Sequence, residues 1–167
     1  MLLGATGPRY TEPGTEALII QLILQRRYAD AYELLNHQPS DQTTVLYNTA
    51  LCLHWSGNYQ EALNRLEKIR LSPQVSNRNQ PSADNKYQQI RHKQNQTDDY
   101  LQGISELYVK NFPLLFQDAV IRLKTDCWLQ LGNYPKMIAV ATPIAYKKYK
   151  NITEALTLAD NAHDQSI

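Results

Sequence analysis

The chain is short of the residues that announce chemistry, metals or membranes. Among its 167 residues there are two cysteines, Cys52 and Cys127, each inside an apolar run of helical spacing. Isolated thiols of that kind read as reduced core residues, and they offer neither a disulfide framework nor a paired-cysteine metal site. The four histidines, His37, His54, His92 and His163, share no metal-ligand spacing and pair with no carboxylate in sequence. The six glycines form no Gly-rich loop that could cradle a phosphate. No run of about 18 apolar residues occurs, so no membrane-spanning helix is expected. An excess of charge of either sign is also missing. The 17 Lys and Arg face 16 Asp and Glu, a net charge of +1, unlike a dedicated nucleic-acid binder or a chain with an acidic tail. The expectation is a protein that is not an enzyme and holds no metal or cofactor.

What is present suits one soluble domain over 1–167. Hydrophobic residues make up 43% and charged residues 20%, enough for a real core. Tyrosine dominates the aromatics, with 11 Tyr against 2 Phe and 2 Trp. Its ring packs on half-buried helix faces while its hydroxyl stays hydrated, which also suits wet interfaces. Residues 1–13 read as a loose leader, without the basic and apolar regions of a signal peptide, and the expected location is cytoplasmic.

The rest of the chain alternates helical periods with breakers. Thr15 is a candidate cap for a densely apolar first helix, and Tyr28, Ala31, Tyr32, Leu34 and Leu35 recur at helical spacing in a second. Ser40 or Asp41 can cap a third, in which Leu46, Thr49, Ala50, Leu53 and Ser56 line one stripe. Gly57 supplies a left-handed helix end, then Tyr59, Ala62, Leu63, Leu66 and Ile69 form a fourth stripe that Pro73 closes. Residues 74–97 form a polar Asn/Gln-rich insertion: a loop over about 74–84, then a polar helix over about 85–95 anchored by Tyr87 and Ile90. Tyr100, Leu101, Ile104, Leu107 and Tyr108 predict a helix that stops near Pro113, which opens the next one. Pro143 predicts a break near Thr142. A capping helix and tail fill 151–167. No segment reads as a strand, so the fold class is all-α.

Two corners share one phrase, Ser56-Gly57-Asn58-Tyr59 and Leu131-Gly132-Asn133-Tyr134, and Gln25-Arg26-Arg27-Tyr28 is a weaker echo. Tyr28 and Tyr59 lie about one 34-residue unit apart, and Tyr59 and Tyr134 about two units plus an insertion. Over Val45–Pro73 the order Leu46, Ala50, Leu53, Gly57, Tyr59, Ala62, Leu66, Pro73 resembles the tetratricopeptide repeat. The match is fair over Thr15–Pro39 and weaker over Ala119–Thr142, where Lys124 and Met137 depart from the pattern. The resemblance implies an α-solenoid of about three to four helical hairpins that acts as a scaffold or adaptor between proteins.

Such solenoids hold a peptide or helix of another protein on the wall made by the first helix of each hairpin. Carried over, that wall comprises Glu16, Ile20, Ile23 and Leu24, then Thr44, Tyr47, Asn48, Leu51, His54 and Trp55, then Arg122, Asp126, Leu129 and Gln130. The candidate partner-binding residues are Tyr47, Asn48, Leu51, His54, Trp55, Arg122 and Asp126, with the aromatic and Arg side chains as anchors. A clamp for a C-terminal carboxylate is rejected. Asn48 fits one of its positions, but Ala119 and Leu123 stand where its basic residues belong. Two further readings stay open. In one, the chain is a structural module of a larger complex, its groove filled by its own tail. In the other, a basic patch of Lys147–Lys150 with Lys86, Arg91 and Lys93 binds nucleic acid, which the near-zero net charge disfavours.

Overall fold

A computed structural model describes residues 11–71 and 84–165, and all regular structure in them is helical. The helices are α1 (Pro13–Leu24), α2 (Tyr28–Asn36), α3 (Thr43–Trp55), α4 (Tyr59–Glu67), α5 (Asn85–Asn95), α6 (Glu106–Asn111), α7 (Pro113–Gln130), α8 (Tyr134–Ala141) and α9 (Lys150–Asp164). Two 3-10 segments, Asp99–Leu101 and Thr142–Lys147, complete them. The expected loop at 74–83, Pro73 and residues 1–10 of the expected leader lie outside the described residues.

Three helix ends are built alike. Arg26, Gly57 and Gly132 take positive φ angles of 59°, 82° and 69°. At each, the left-handed residue donates its N–H to the carbonyl three residues back, and the next residue donates to the carbonyl five back. These are Arg27 to Leu22 (2.8 Å), Asn58 to Leu53 (2.8 Å) and Asn133 to Trp128 (3.0 Å). Such paired bonds satisfy the carbonyls that a helix C-terminus leaves open. Each corner delivers a Tyr to the first position of the following helix, and the residue three further on, Ala31, Ala62 or Met137, is fully buried.

These corners pair α1 with α2, α3 with α4 and α7 with α8, and the pairs meet through α2–α3 and α4–α7. α9 closes on α7 and α8. α3 touches α2, α4, α6 and α7, so it is apolar nearly all round and carries buried residues from Thr44 to Leu53 without a gap.

Several local expectations are corrected. α1 starts at Pro13, whose missing N–H and fixed φ suit a first turn, so Thr15 is inside the helix and is not its cap. Gln42, and neither Ser40 nor Asp41, precedes α3. α5 forms, capped by Asp84 accepting from the Lys86 N–H at 3.0 Å. Its expected anchors Tyr87 and Ile90 are exposed, however. The helix is held by its end: Asn95 donates to the Lys147 carbonyl (3.1 Å) and Gln96 to that of Lys148 (2.9 Å). The single helix expected over 97–111 is broken into a 3-10 turn, an extended stretch at 102–105 and short α6. Pro143 breaks α8 as expected, converting the chain to 3-10 from Thr142.

The recurring corner makes a test. Arg26 has a Cβ where the other corners use glycine. Arg26→Gly is expected to stabilise the fold by about 0.5–1 kcal/mol, the relief of left-handed strain less the added freedom of the unfolded chain. Gly57→Ala, which meets no neighbour within 4 Å, is expected to lose about 1 kcal/mol from backbone strain alone. Urea midpoints of the two variants check both signs.

Candidate functional site

Part of the expected inner wall, Glu16, Ile20, Tyr47, Asn48, Arg122 and Asp126, shares a surface, and that surface is occupied. Residues 97–106 of the same chain run across it. Asn48, 2% exposed, grips both sides of one peptide unit: its Nδ2 donates to the Ile104 carbonyl (3.0 Å), and its Oδ1 accepts from the Ile104 N–H (2.8 Å). The Tyr47 hydroxyl donates to the Tyr100 carbonyl, and its ring meets Phe116 edge to face at 5.6 Å. On α1, the Glu16 carboxylate accepts from the Glu106 N–H. Gly103 lies so close to α1 that a Cβ there would sit 3.2 Å from the Ile20 Cα and Cγ1. A segment of helical sequence is therefore reduced to a 3-10 turn followed by an extended stretch at 102–105. Its backbone groups find side-chain partners on the wall in place of their own helical ones.

α7 supplies the polar half of the wall. Asp118, Arg122 and Asp126 stand at i, i+4 and i+8, so they stack along one face. The Arg122 Nε donates to the Asn151 Oδ1, Nη1 to Asp99 and Nη2 to the Thr97 carbonyl, each at 2.8 Å. Its guanidinium lies between the Tyr100 and Tyr149 rings, 4.1 and 4.5 Å from their centroids. Asp126 accepts from the Tyr100 hydroxyl and from the Asn151 Nδ2 (2.9 Å). Asp118 accepts from the Lys147 Nζ (2.8 Å) and the Tyr149 hydroxyl (2.5 Å). A cavity of about 400 Å³ remains beside the segment, lined in part by Ile20, Tyr100, Gly103 and Arg122.

The seven candidate partner-binding residues thus divide. Tyr47, Asn48, Leu51 and Arg122 are buried, and Asp126 is half-buried, which corrects the expectation that they face an open groove. The physical reason is that residues 97–106 already take the hydrogen bonds of Tyr47, Asn48 and, in part, Arg122 and Asp126. His54 is half-buried with its ring edge against Tyr59, 5.5 Å between centroids. Trp55 alone of the seven is largely open, 62% exposed, stacked on Tyr28 at 4.6 Å. The reading from sequence missed Asp118, Tyr100, Tyr149 and Asn151. The i, i+4 spacing of Asp118, Arg122 and Asp126 along one face of α7 was the available signal for the first.

Burial sets the protonation of the site. It pushes both thiols, Cys52 and Cys127, up to about 12, so neither is a thiolate at neutral pH. Desolvation lowers His54, with Asp126 opposing, and desolvation raises Asp126, against its hydrogen bonds from Tyr100 and Asn151. Among the described residues no group of three or more His, Cys, Asp and Glu could hold a metal ion, and no helix is long and apolar enough to cross a membrane. Comparison with family models, with curated proteins and with solved structures finds no match.

Two predictions follow from this geometry. Asn48→Ala strands the Ile104 N–H and carbonyl in a buried site, with an expected loss on the order of 3 kcal/mol. The loss is read from urea unfolding, together with faster hydrogen exchange at the Ile104 amide. His54 has a folded pKa below its ordinary 6.5, so its contribution is present above that value and is lost as pH falls through the folded one. Asp126 acts with the opposite sign, its contribution being present below 3.8 and lost as pH rises through its raised folded value. His54→Gln is therefore expected to flatten the fall in stability just below pH 6.5 in melts taken across pH.

Proposed function

We propose that the chain is a non-catalytic interaction module of a larger protein assembly, a tetratricopeptide-like α-solenoid of three helical hairpins with its inner wall filled in cis. The three matching corners, each followed by a Tyr and a fully buried residue three positions on, support the repeat architecture. The observation that carries the self-filled reading is the two-bond grip of Asn48 on the Ile104 peptide unit. A partner peptide on the same wall would have to displace that grip together with the Arg122 contacts. The reading in which the wall captures a foreign peptide is therefore the weaker one. The partner is another protein, met on surfaces outside the filled wall.

Trp55 is the best anchor for that contact. It is exposed at the end of α3, beside a cavity of about 340 Å³ bounded by Tyr28, Tyr32 and Glu61. Large aromatic residues that are free of the core often dominate binding energy. Trp55→Ala is expected to leave the thermal melt nearly unchanged and to weaken retention of a co-purifying protein by about 1–3 kcal/mol. Pull-down of the tagged full chain from lysate, with a melt of each variant, tests this. A variant that unfolds, or one that retains its partner fully, removes Trp55 from the interface.

A further inference from the structure

A second surface, which adjoins the filled wall at Asp118 and Tyr149, combines charge and apolar character in a way that points to a class of ligand. A groove of about 1100 Å³ opens between α5, the α6–α7 junction and the 3-10 segment before Lys148. Beside it, α5 is tied down at its C-terminal end through Asn95 and Gln96. The floor is aliphatic, from Pro113 to Leu115, and Tyr87, Phe112 and Tyr146 stand exposed around it, Tyr146 by 73%. Arg91, whose guanidinium lies over its neighbour Tyr87 and donates to that hydroxyl (3.4 Å), and Lys148 bring two cationic groups to the groove. The one carboxylate in the lining, Asp118, is already neutralised by Lys147 at 2.8 Å. The two stretches that frame the groove, 85–95 and 147–150, contain Lys86, Arg91, Lys93, Lys147, Lys148 and Lys150 and no Asp or Glu. The fold thus gathers a local positive field on a chain whose net charge is only +1.

We propose that this groove binds a short acidic peptide segment of a partner protein, with a large apolar side chain such as Leu or Phe seated on the Pro113–Leu115 floor and its carboxylates facing Arg91 and Lys148. Exposed aromatic rings alone would also suit single-stranded nucleic acid, but that ligand needs a continuous track of cations as well. Here Lys147 is already committed to Asp118. The proposal rests on the reading of the chain as an interaction module, and it is independent of Trp55.

The test uses the full chain and fluorescence anisotropy of a short fluorescein-labelled peptide in which Asp and Glu flank a Leu-Phe pair. Binding is expected, weakening with added NaCl as exposed charges are screened. It is expected to weaken about tenfold or more when Asn and Gln replace the acids, and equally in the Arg91→Gln, Lys148→Asn double variant. Asn suits the left-handed backbone at Lys148 (φ 54°), and circular dichroism checks that the variant is folded. Tyr146→Ala, at an exposed side chain, is expected to weaken binding as well. The proposal is overturned by no binding, by equal binding of the neutral peptide, by an unaffected double variant, or by tighter binding of a single-stranded oligothymidylate, which assigns the groove to nucleic acid. Trp55→Ala separates the two readings, because it should leave peptide binding unchanged. If the peptide fails while Trp55→Ala still weakens the pull-down, the groove falls and the interaction module stands. If no partner is retained at all while the peptide binds, the Trp55 interface falls alone.

Discussion

Arg122 is 2% exposed, and a guanidinium so placed must find its counter-charge and its hydrogen-bond acceptors inside the protein. Taking such a charge out of water costs several kcal/mol, and only good geometry offsets it. Here the offset comes from three directions. Asp99 and the Thr97 carbonyl come from the segment that fills the wall, Asn151 from the start of α9, and two tyrosine rings cover the planar faces. Arg suits this role because its donors form a fixed planar fork that also stacks on aromatic rings. The same side chain therefore holds the filling segment, the last helix and α7 in one arrangement. Asp126 and Asp118, one turn away on either side, extend it through Tyr100, Asn151, Lys147 and Tyr149.

The second consequence concerns what the wall can do. A segment tethered in the same chain binds at a high effective concentration, so a free peptide competes at a disadvantage even with similar contacts. The filling segment also meets the wall as a ligand would. Its backbone is extended through Gln102, its N–H and carbonyl groups face Asn48, Tyr47 and Glu16, and Gly103 permits close approach to Ile20. The interface is thus used internally. What remains for other molecules is the outside: the Trp55–Tyr28 stack at one end of the α3–α4 corner, and the cationic groove beneath α5.

Much of this was legible in the chain. The period of apolar residues marked α2, α3, α4 and α7, and the Gly-Asn-Tyr phrase marked two corners whose positive φ angles favour glycine. The echo at Arg26 was legible only as a pattern, because no composition rule places Arg in a left-handed turn. Of the residues grouped on one wall, Tyr47, Asn48, Arg122 and Asp126 do converge on one segment, whereas Trp55 stacks on Tyr28 away from it. Their occupant was not legible. Tyr100, Leu101, Ile104, Leu107 and Tyr108 have helical spacing, and local propensity alone favours a helix there. The tertiary contacts prevail because buried partners on α1, α3 and α7 satisfy the backbone groups that the helix would have satisfied.

The sequence by itself determined an all-helical chain, its main corners and the face on which its polar and aromatic residues gather, because periodicity and turn chemistry are local. Only the tertiary structure decided that residues 97–106 lie on that face, that α5 hangs by its C-terminal end and that two acid-free stretches meet across a groove. Each of these depends on side chains tens of residues apart in the chain pairing in space, as Asn48 does with Ile104 and Asn95 with Lys147. Hydrogen-bond partners at that separation leave no period in the sequence.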